Sequence, residues 1–277
     1  MDLTSKKVIK NLLKKYGARP SKGLGQNFLI NKAVIKKIIK EARLQFKDIV
    51  LEIGPGIGTL TQEIAKKAKL VIAVEKDSKM VKILKETLKD FQNIEIVKAD
   101  ILKIKPTPYT LNAKPYKVVA NLPFYLSAPV IRKFLEAKFP PELMLLVVQK
   151  EVAQRICAKP PDMNLLAASV QFYAKPEIIS YVSKKSFWPM PEVNGAILQI
   201  TPTYTDKKTD SRKFFRIVKA GFSQPRKQLA NNLTKKLELD KERIKSWLLK
   251  NNIQPNRRAE TLFIKDWINL TKSYKIN

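Results

Sequence analysis

Two hydrophobic periods divide the chain. Over residues 4–16, Val8, Ile9, Leu12, Leu13 and Tyr16 recur at helical spacing among lysines, and that helix should end near Gly17. Ala33, Val34, Ile35, Ile38, Ile39 and Ala42 predict a second helix after Asn31. Short apolar runs then replace the stripes: residues 49–53, 70–74, 94–97, 117–120 and 143–148 read as buried strands, with helical segments at 59–67, 78–90 and 127–138 between several of them. That alternation predicts an α/β fold, a parallel sheet with helices on both faces. Residues 150–157 and 165–174 read as helices, and the β-branched runs 178–182 and 196–200 as an antiparallel edge to the sheet. Beyond residue 206 only helical stripes remain, at 214–222, 227–235, 241–249 and 261–270. The polar stretch 201–210 marks the boundary between a domain of residues 1–205, with an N-terminal helical extension, and a small all-α domain of residues 206–277.

Charge adds a partner to this outline. The 277 residues carry 54 Lys and Arg against 24 Asp and Glu, a formal net charge of +30. Such a field attracts polyanions, and a nucleic acid is the expected partner rather than a merely solvated lysine-rich surface. Residues 206–277 hold nineteen basic and seven acidic side chains, so charge per residue is highest in the C-terminal part. With no histidine and one cysteine, an intrachain disulfide, a Cys-His zinc site and an imidazole base are all excluded, and no metal is expected. Cys157 falls in a helical pattern and reads as buried filler. No apolar run approaches the roughly twenty residues that span a bilayer, and the start lacks a secretory signal, so a cytoplasmic location away from membranes is expected.

Residues 50–60, Val-Leu-Glu-Ile-Gly-Pro-Gly-Ile-Gly-Thr-Leu, run from a strand through a glycine loop into a helix. In a doubly wound sheet this is where a nucleotide-like ligand sits, because glycine lets the backbone approach it. A dinucleotide fingerprint needs its third glycine where Thr59 stands, and Gly58 falls one residue early. The spacing of Gly54, Gly56 and Gly58 instead suits S-adenosylmethionine, which has no pyrophosphate to hold. Glu75, ending the next strand, can accept hydrogen bonds from two ribose hydroxyls, and Asp100, closing the third, suits an adenine amino group. Singly, each of these residues is more often a turn or a helix cap. Three in register at successive strand ends argue for a site.

The tetrapeptide Asn121-Leu122-Pro123-Phe124 follows the fourth strand and precedes a helix. Adenine N6 is a poor nucleophile because its lone pair is delocalised into the ring. Acceptors that hold both amino hydrogens favour a pyramidal, more reactive nitrogen. The Asn121 side-chain oxygen and the Leu122 carbonyl are candidates for those acceptors, Pro123 would stiffen the loop, and Phe124 would stack on the base. Asn and Pro are also ordinary turn formers, and the position beside the glycine loop is what favours chemistry.

These segments resemble the ribosomal RNA adenine dimethyltransferase family, in its bacterial small-subunit branch. The likeness runs over nearly the whole chain, through Gly-Leu-Gly-Gln-Asn-Phe-Leu at 23–29, Glu-Ile-Gly-Pro-Gly-Ile-Gly-Thr-Leu-Thr at 52–61, Val-Glu-Lys-Asp at 74–77 and Asn-Leu-Pro-Phe at 121–124. It continues in Glu-Val-Ala-Gln-Arg at 151–155, Phe-Trp-Pro-Met-Pro-Glu-Val at 187–193, Pro-Arg-Lys-Gln-Leu-Ala-Asn-Asn-Leu at 225–233 and Arg258-Ala259-Glu260. The resemblance implies a Rossmann-like S-adenosylmethionine methyltransferase sheet with a helical C-terminal domain. It also implies dimethylation of N6 on two adjacent adenines in the 3′-terminal hairpin of small-subunit (16S) rRNA, late in ribosome assembly. Cofactor contacts are implied at Asn27, Leu29, Gly54, Gly56, Glu75, Asp100 and Asn121. Phe124 stands where the family usually has Tyr, and Asn194-Gly195 replace a common Asp-Ser pair.

The expected partner is therefore small-subunit rRNA in an immature 30S subunit, met by a monomer, with Arg226 and Lys227 as first candidates for phosphate contacts. One alternative is a large-subunit rRNA adenine N6-methylase of the macrolide-resistance type, disfavoured by Leu122. The others are a non-catalytic ribosome assembly factor and, more remotely, a nicotinamide oxidoreductase, disfavoured by Thr59.

Overall fold

A computed structural model describes residues 1–21, 23–104, 115–203 and 209–274. Its strands form a seven-stranded sheet in the order β4-β3-β2-β5-β6-β9-β7. These are β2 (Ile49–Ile53), β3 (Leu70–Glu75), β4 (Ile94–Lys98), β5 (Tyr116–Asn121), β6 (Leu143–Gln149), β7 (Ala174–Val182) and β9 (Gly195–Pro202). The pairs β2–β3, β2–β5, β3–β4 and β5–β6 are parallel, and β9 runs antiparallel to β6. All seven strands expected from the apolar runs are present. The order reverses between β2 and β5, and the crevice beyond the carboxyl ends of strands at such a reversal is where open α/β sheets bind ligands.

Every residue of β2 is buried, which is why it reads as a continuous apolar run broken only by Glu52. Helices α2 (Lys32–Glu41) and α3 (Thr59–Ala65) lay Ile35, Ile38, Leu60 and Ile64 into one core with Val50, Val71 and Val119 of the sheet. A second core joins Leu12 and Leu13 of α1 (Lys6–Lys15) to Phe28, Ile57 and, from α4 (Ser78–Thr87), Met80 and Ile83. Asn31 starts α2 by accepting from the Ala33 and Val34 amides, and Asp77 starts α4 by accepting from Lys79.

One pairing has no counterpart in the sequence pattern. β1 (Phe28–Leu29) lies antiparallel to β8 (Phe187–Trp188), with the Phe28 and Trp188 rings stacked at 6.4 Å. The segment ahead of the sheet is thereby tied to residues 160 positions later.

The described residues divide into two compact units, Met1–Ala153 with Glu177–Pro202, and Gln154–Pro176 with the chain from Thr203 onward. The second unit thus includes residues 154–176, which the sequence reading grouped with residues 1–205. Packing explains the difference. Phe172 at the end of α7 (Leu165–Gln171) stacks on Phe214 of α8 (Ser211–Gly221) at 4.0 Å, and Ala168 and Phe172 share a core with Leu233 of α9 (Leu229–Leu237), Leu248 of α10 (Lys241–Lys250) and Trp267 of α11 (Ile264–Ser273). Asp210 and Asp240 cap α8 and α10. Cys157, expected to be buried, is half-buried just past α6 (Lys150–Ile156).

Candidate active site

A cavity opens at the carboxyl ends of β2, β3, β4 and β5. Gly54 and Gly56 line it from the loop after β2, Glu75 from the end of β3, Asp100 from just beyond β4, and Asn121 and Pro123 from β5 and its loop. Asn27 and Leu29, which a strand pattern alone would not place here, line it from the segment ahead of the sheet. Leu122 and Phe124 stand off this wall. Leu122 is buried with its amide donating to the Val147 carbonyl, and Phe124 is half-buried.

Backbone conformation brings these parts together. Gly56 has φ +61°, and a Cβ on it would stand 3.1 Å from the Phe28 ring. Gly25 has φ +59°, and its Cβ would meet the Pro123 Cβ at 3.2 Å. A side chain at either position would combine left-handed backbone strain with a contact that forces the neighbouring ring to shift. Residues 23–29 can therefore lie against both the glycine loop and the Asn121–Phe124 loop. The closest polar link is the Asn121 side-chain amide, which donates to the Asn27 carbonyl at 2.9 Å. That bond orients the carboxamide and leaves its oxygen available as an acceptor.

The carboxyl groups are held as firmly. Glu75 is 7% exposed; one of its oxygens accepts from the Gly56 amide at 3.2 Å and the other from the Asp77 amide at 2.8 Å. Burial pushes its pKa up, against the lowering effect of those amides. Asp100 pairs with Lys76 at 3.0 Å and accepts from the Leu102 amide at 3.0 Å, and the lysine holds its carboxyl below the usual range. Each oxygen keeps a further lone pair for a ligand donor.

The wall's charge is the reverse of the protein's. Its acidic side chains are Glu52, Glu75 and Asp100, and its basic side chain is Lys76, in a chain of net charge +30. Such a cavity suits a cationic, hydroxyl-rich ligand and repels a pyrophosphate. Among the described residues no group of three or more metal-ligating side chains occurs.

Sequence reasoning missed Gln26, Glu52, Lys76 and Tyr125, all of which line the cavity. Tyr125 is 53% exposed and directly follows the Phe124 chosen from the motif, so the aromatic pair carried a signal. Glu52 carried one as the only charge in an apolar strand. Arg226 and Lys227 are exposed, in the segment between α8 and α9 of the second unit, and neither makes an ion pair with a described residue.

The family model for ribosomal RNA adenine dimethylase matches residues 17–275. The chain belongs to this family. Its dimethylase relatives include the ribosomal RNA small subunit methyltransferase A of Dehalococcoides mccartyi, 44% identical over 97% of this chain and 93% of that one. The protein of the same name from Alkaliphilus metalliredigens is 42% identical over 98% of this chain and 97% of its own length. Among solved structures, a dimethyladenosine transferase from Plasmodium falciparum superposes with a TM-score of 0.74 at 26% identity, covering 87% of this chain and 94% of its own. The 23S rRNA methyltransferase ErmE gives 0.74 at 25%, covering 89% and 99%. The Rossmann-like methyltransferase sheet expected of a dimethylase is thus the fold this chain has.

Proposed function

We propose that this dimethylase-family protein uses S-adenosylmethionine to dimethylate N6 of adjacent adenines in small-subunit rRNA, acting on an immature 30S subunit. The observation that supports the reading best is the row of Asp100, Glu75, Gly54 and Asn121 across the ends of four neighbouring strands, around a cavity whose charged groups are mainly carboxyls. In that order Asp100 would take the adenine amino group, Glu75 the ribose hydroxyls, and the glycine loop the methionyl part. Asn121 would face the target nitrogen. Asn27, Leu29 and Gly56 complete the wall.

The residues present fit this cofactor, since the cavity offers acceptors for its donors and acidic groups for its positive charge. When bound, S-adenosylmethionine supplies a methyl group on a positively charged sulfur, ready for attack by nitrogen. The chain's part is to position that attack. Asn121, held by the Asn27 carbonyl, presents its oxygen to one N6 hydrogen, and the Leu122 carbonyl would take the other. Pro123 restricts the loop, while Phe124 and Tyr125 offer aromatic faces for the target base. In such a transfer the methyl–sulfur bond would break as the bond to nitrogen forms, and the nitrogen would shed one hydrogen as a proton to solvent. No strong base is required, which agrees with a chain lacking histidine.

Substrate binding falls to the basic surface. In the second unit Arg212, Arg216 and Lys219 lie on one exposed stripe of α8, and Arg226 and Lys227 follow in the next segment, suited to RNA phosphates. Of the described residues, no helix is long and apolar enough to cross a membrane. Transfer of labelled methyl groups from S-adenosylmethionine to immature small subunits tests the proposal. Incorporation at N6 of adenine is the expected result, and cofactor binding without any transfer would refute it.

A further inference from the structure

Helices α1 and α4 carry eight lysines and a single acid, Glu86. Five of the lysines stand on α1, from Lys6 to Lys15, and Lys79, Lys82 and Lys85 on α4, all of them exposed. The whole chain has 54 basic and 24 acidic side chains, so this surface is far more one-sided than the lysine-rich background. Both helices lie on one apolar core, through Leu12, Leu13, Met80 and Ile83. Glu86 joins their outer surfaces by accepting from Lys15 at 2.7 Å and from the Tyr16 hydroxyl, and Lys79 donates to the Gly17 carbonyl at 2.6 Å. Lys10, Lys14, Lys82 and Lys85 make no ion pair with a described residue.

Such a face is unfavourable for the helices that bear it. Lys6 and Lys7 sit in the first turn of α1, at the positive end of its dipole, where acids are favoured. Lys10 is four residues from both Lys6 and Lys14, a spacing at which like charges repel. In α10, by contrast, Glu242 pairs with Lys245 at 2.7 Å. Rows of unpaired like charge, held on two packed helices at a cost to both, suit an anion with many charges of its own.

Location and chemistry tell which anion. α4 begins at Ser78, two residues after Lys76 of the cavity wall, and its cap Asp77 accepts from Gln26 of the same wall at 3.0 Å. The face thus starts at the rim of the candidate active site. Among the described residues, none of the large apolar side chains that are exposed lies on α1 or α4. The face therefore offers a membrane nothing to insert, and a single strand no exposed ring on which to stack its bases. What it offers is ammonium groups in rows: Lys7 to Lys14 spans about 10 Å of helix axis, over which a nucleic-acid duplex presents about six phosphate charges. We propose that α1 and α4 form a further RNA-binding face, within the first unit, that grips the phosphate backbone of a double-stranded RNA segment beside the cavity without reading its sequence. The inference rests on the RNA substrate proposed above and names a surface separate from the α8 stripe of the second unit.

The test is binding of an RNA duplex of about 20 base pairs and arbitrary sequence, measured from about 50 to 200 mM salt. A variant combining Lys10→Gln, Lys14→Gln, Lys82→Gln and Lys85→Gln should bind at least about tenfold more weakly, with a salt dependence lower by about two to four phosphate equivalents. A control combining Lys37→Gln, Lys40→Gln, Lys67→Gln and Lys69→Gln removes the same charge from exposed positions outside this face, and should stay within about twofold of wild type. Equal losses in the two variants would mean that net charge alone acts, and would overturn the inference. So would a face variant that keeps wild-type RNA binding but loses binding to phosphatidylserine vesicles, since the face would then meet a membrane. A measurement on wild type alone covers the case in which the variant misfolds: bound duplex should slow acetylation of Lys10, Lys14, Lys82 and Lys85, and unslowed acetylation would overturn the proposal equally. Should wild type bind in the expected pattern yet transfer no methyl group to rRNA, the face stands and the proposed function falls.

Discussion

Replacing Asn121 with alanine removes two interactions of different kinds, and the structure separates their magnitudes. The side-chain amide holds the Asn27 carbonyl at 2.9 Å, a bond that ties residues 23–29 to the loop after β5. Losing one such hydrogen bond costs about 1 kcal/mol of stability. In a protein of this size that lowers the melting temperature by roughly 2–4 °C. In the proposed mechanism the carboxamide oxygen, by contrast, would act where charge develops as the amine attacks. Removal of one pre-positioned group of that kind typically costs about 100- to 1000-fold in kcat, or about 2.7–4 kcal/mol. Asn121→Ala should therefore be folded, a few degrees less stable, and at least about 100-fold slower in methyl transfer, with RNA affinity unchanged. The assay is transfer of tritiated methyl from S-adenosylmethionine to small subunits at saturating concentrations, with a melting curve and a filter-binding titration of the same preparations. A rate within about threefold of wild type would show that Asn121 is not the acceptor.

Other outcomes follow from the same geometry. Gly56→Ala must place a Cβ 3.1 Å from the Phe28 ring at φ +61°, so cofactor affinity should fall at least about tenfold in equilibrium dialysis, while circular dichroism reports a folded protein. In the second unit Gly221→Ala would drive a Cβ to 2.4 Å from the Trp267 ring; overpacking of this kind costs about 1–3 kcal/mol, visible in a urea titration. Arg226→Ala with Lys227→Ala should weaken rRNA binding and flatten its salt dependence by about one to two phosphate equivalents, and an unchanged slope would exclude contacts there. The folded-state pKa of Glu52, pushed up by burial to about 8, exceeds the unfolded value near 4.5. Its contribution is thus fully present below about pH 4.5 and lost as pH rises through 8. Relative to Glu52→Gln, cofactor-free wild type should lose thermal stability across that interval, and parallel pH profiles would argue against a buried neutral acid.

Apolar periodicity made the parallel sheet legible because strands covered on both faces, such as β2 and β6, read as near-continuous apolar runs, whereas β4 at the sheet edge is only half-buried and showed through its β-branched Ile94, Ile96 and Val97. Glu75, Asp100 and Asn121 were legible for a related reason: strand ends at the carboxyl edge of a parallel sheet converge whatever the intervening helices do. Contacts made far from sheet order were not legible. The pairing of Phe28 with Trp188 joins two-residue strands too short to show a period, and the Asn27 carbonyl reaches Asn121 through loop geometry. Residues 154–176 look like any helical continuation of the first domain, since a stripe shows that a face is buried and not against what; the Phe172–Phe214 stack decides it. Glu52 was hidden in plain view, since a single acid in an apolar strand gains meaning only once its cavity is seen.

Mass-spectrometric mapping of modified adenines asks whether this pocket delivers methyl groups to adenine N6 in small-subunit rRNA. Purified protein and S-adenosylmethionine would be incubated with immature small and large ribosomal subunits side by side. Paired N6,N6-dimethyladenines near the 3′ end of small-subunit rRNA, and none in the large subunit, are the expected products. Dimethyladenine confined to large-subunit rRNA, or no modified adenine in either, would contradict the proposed function.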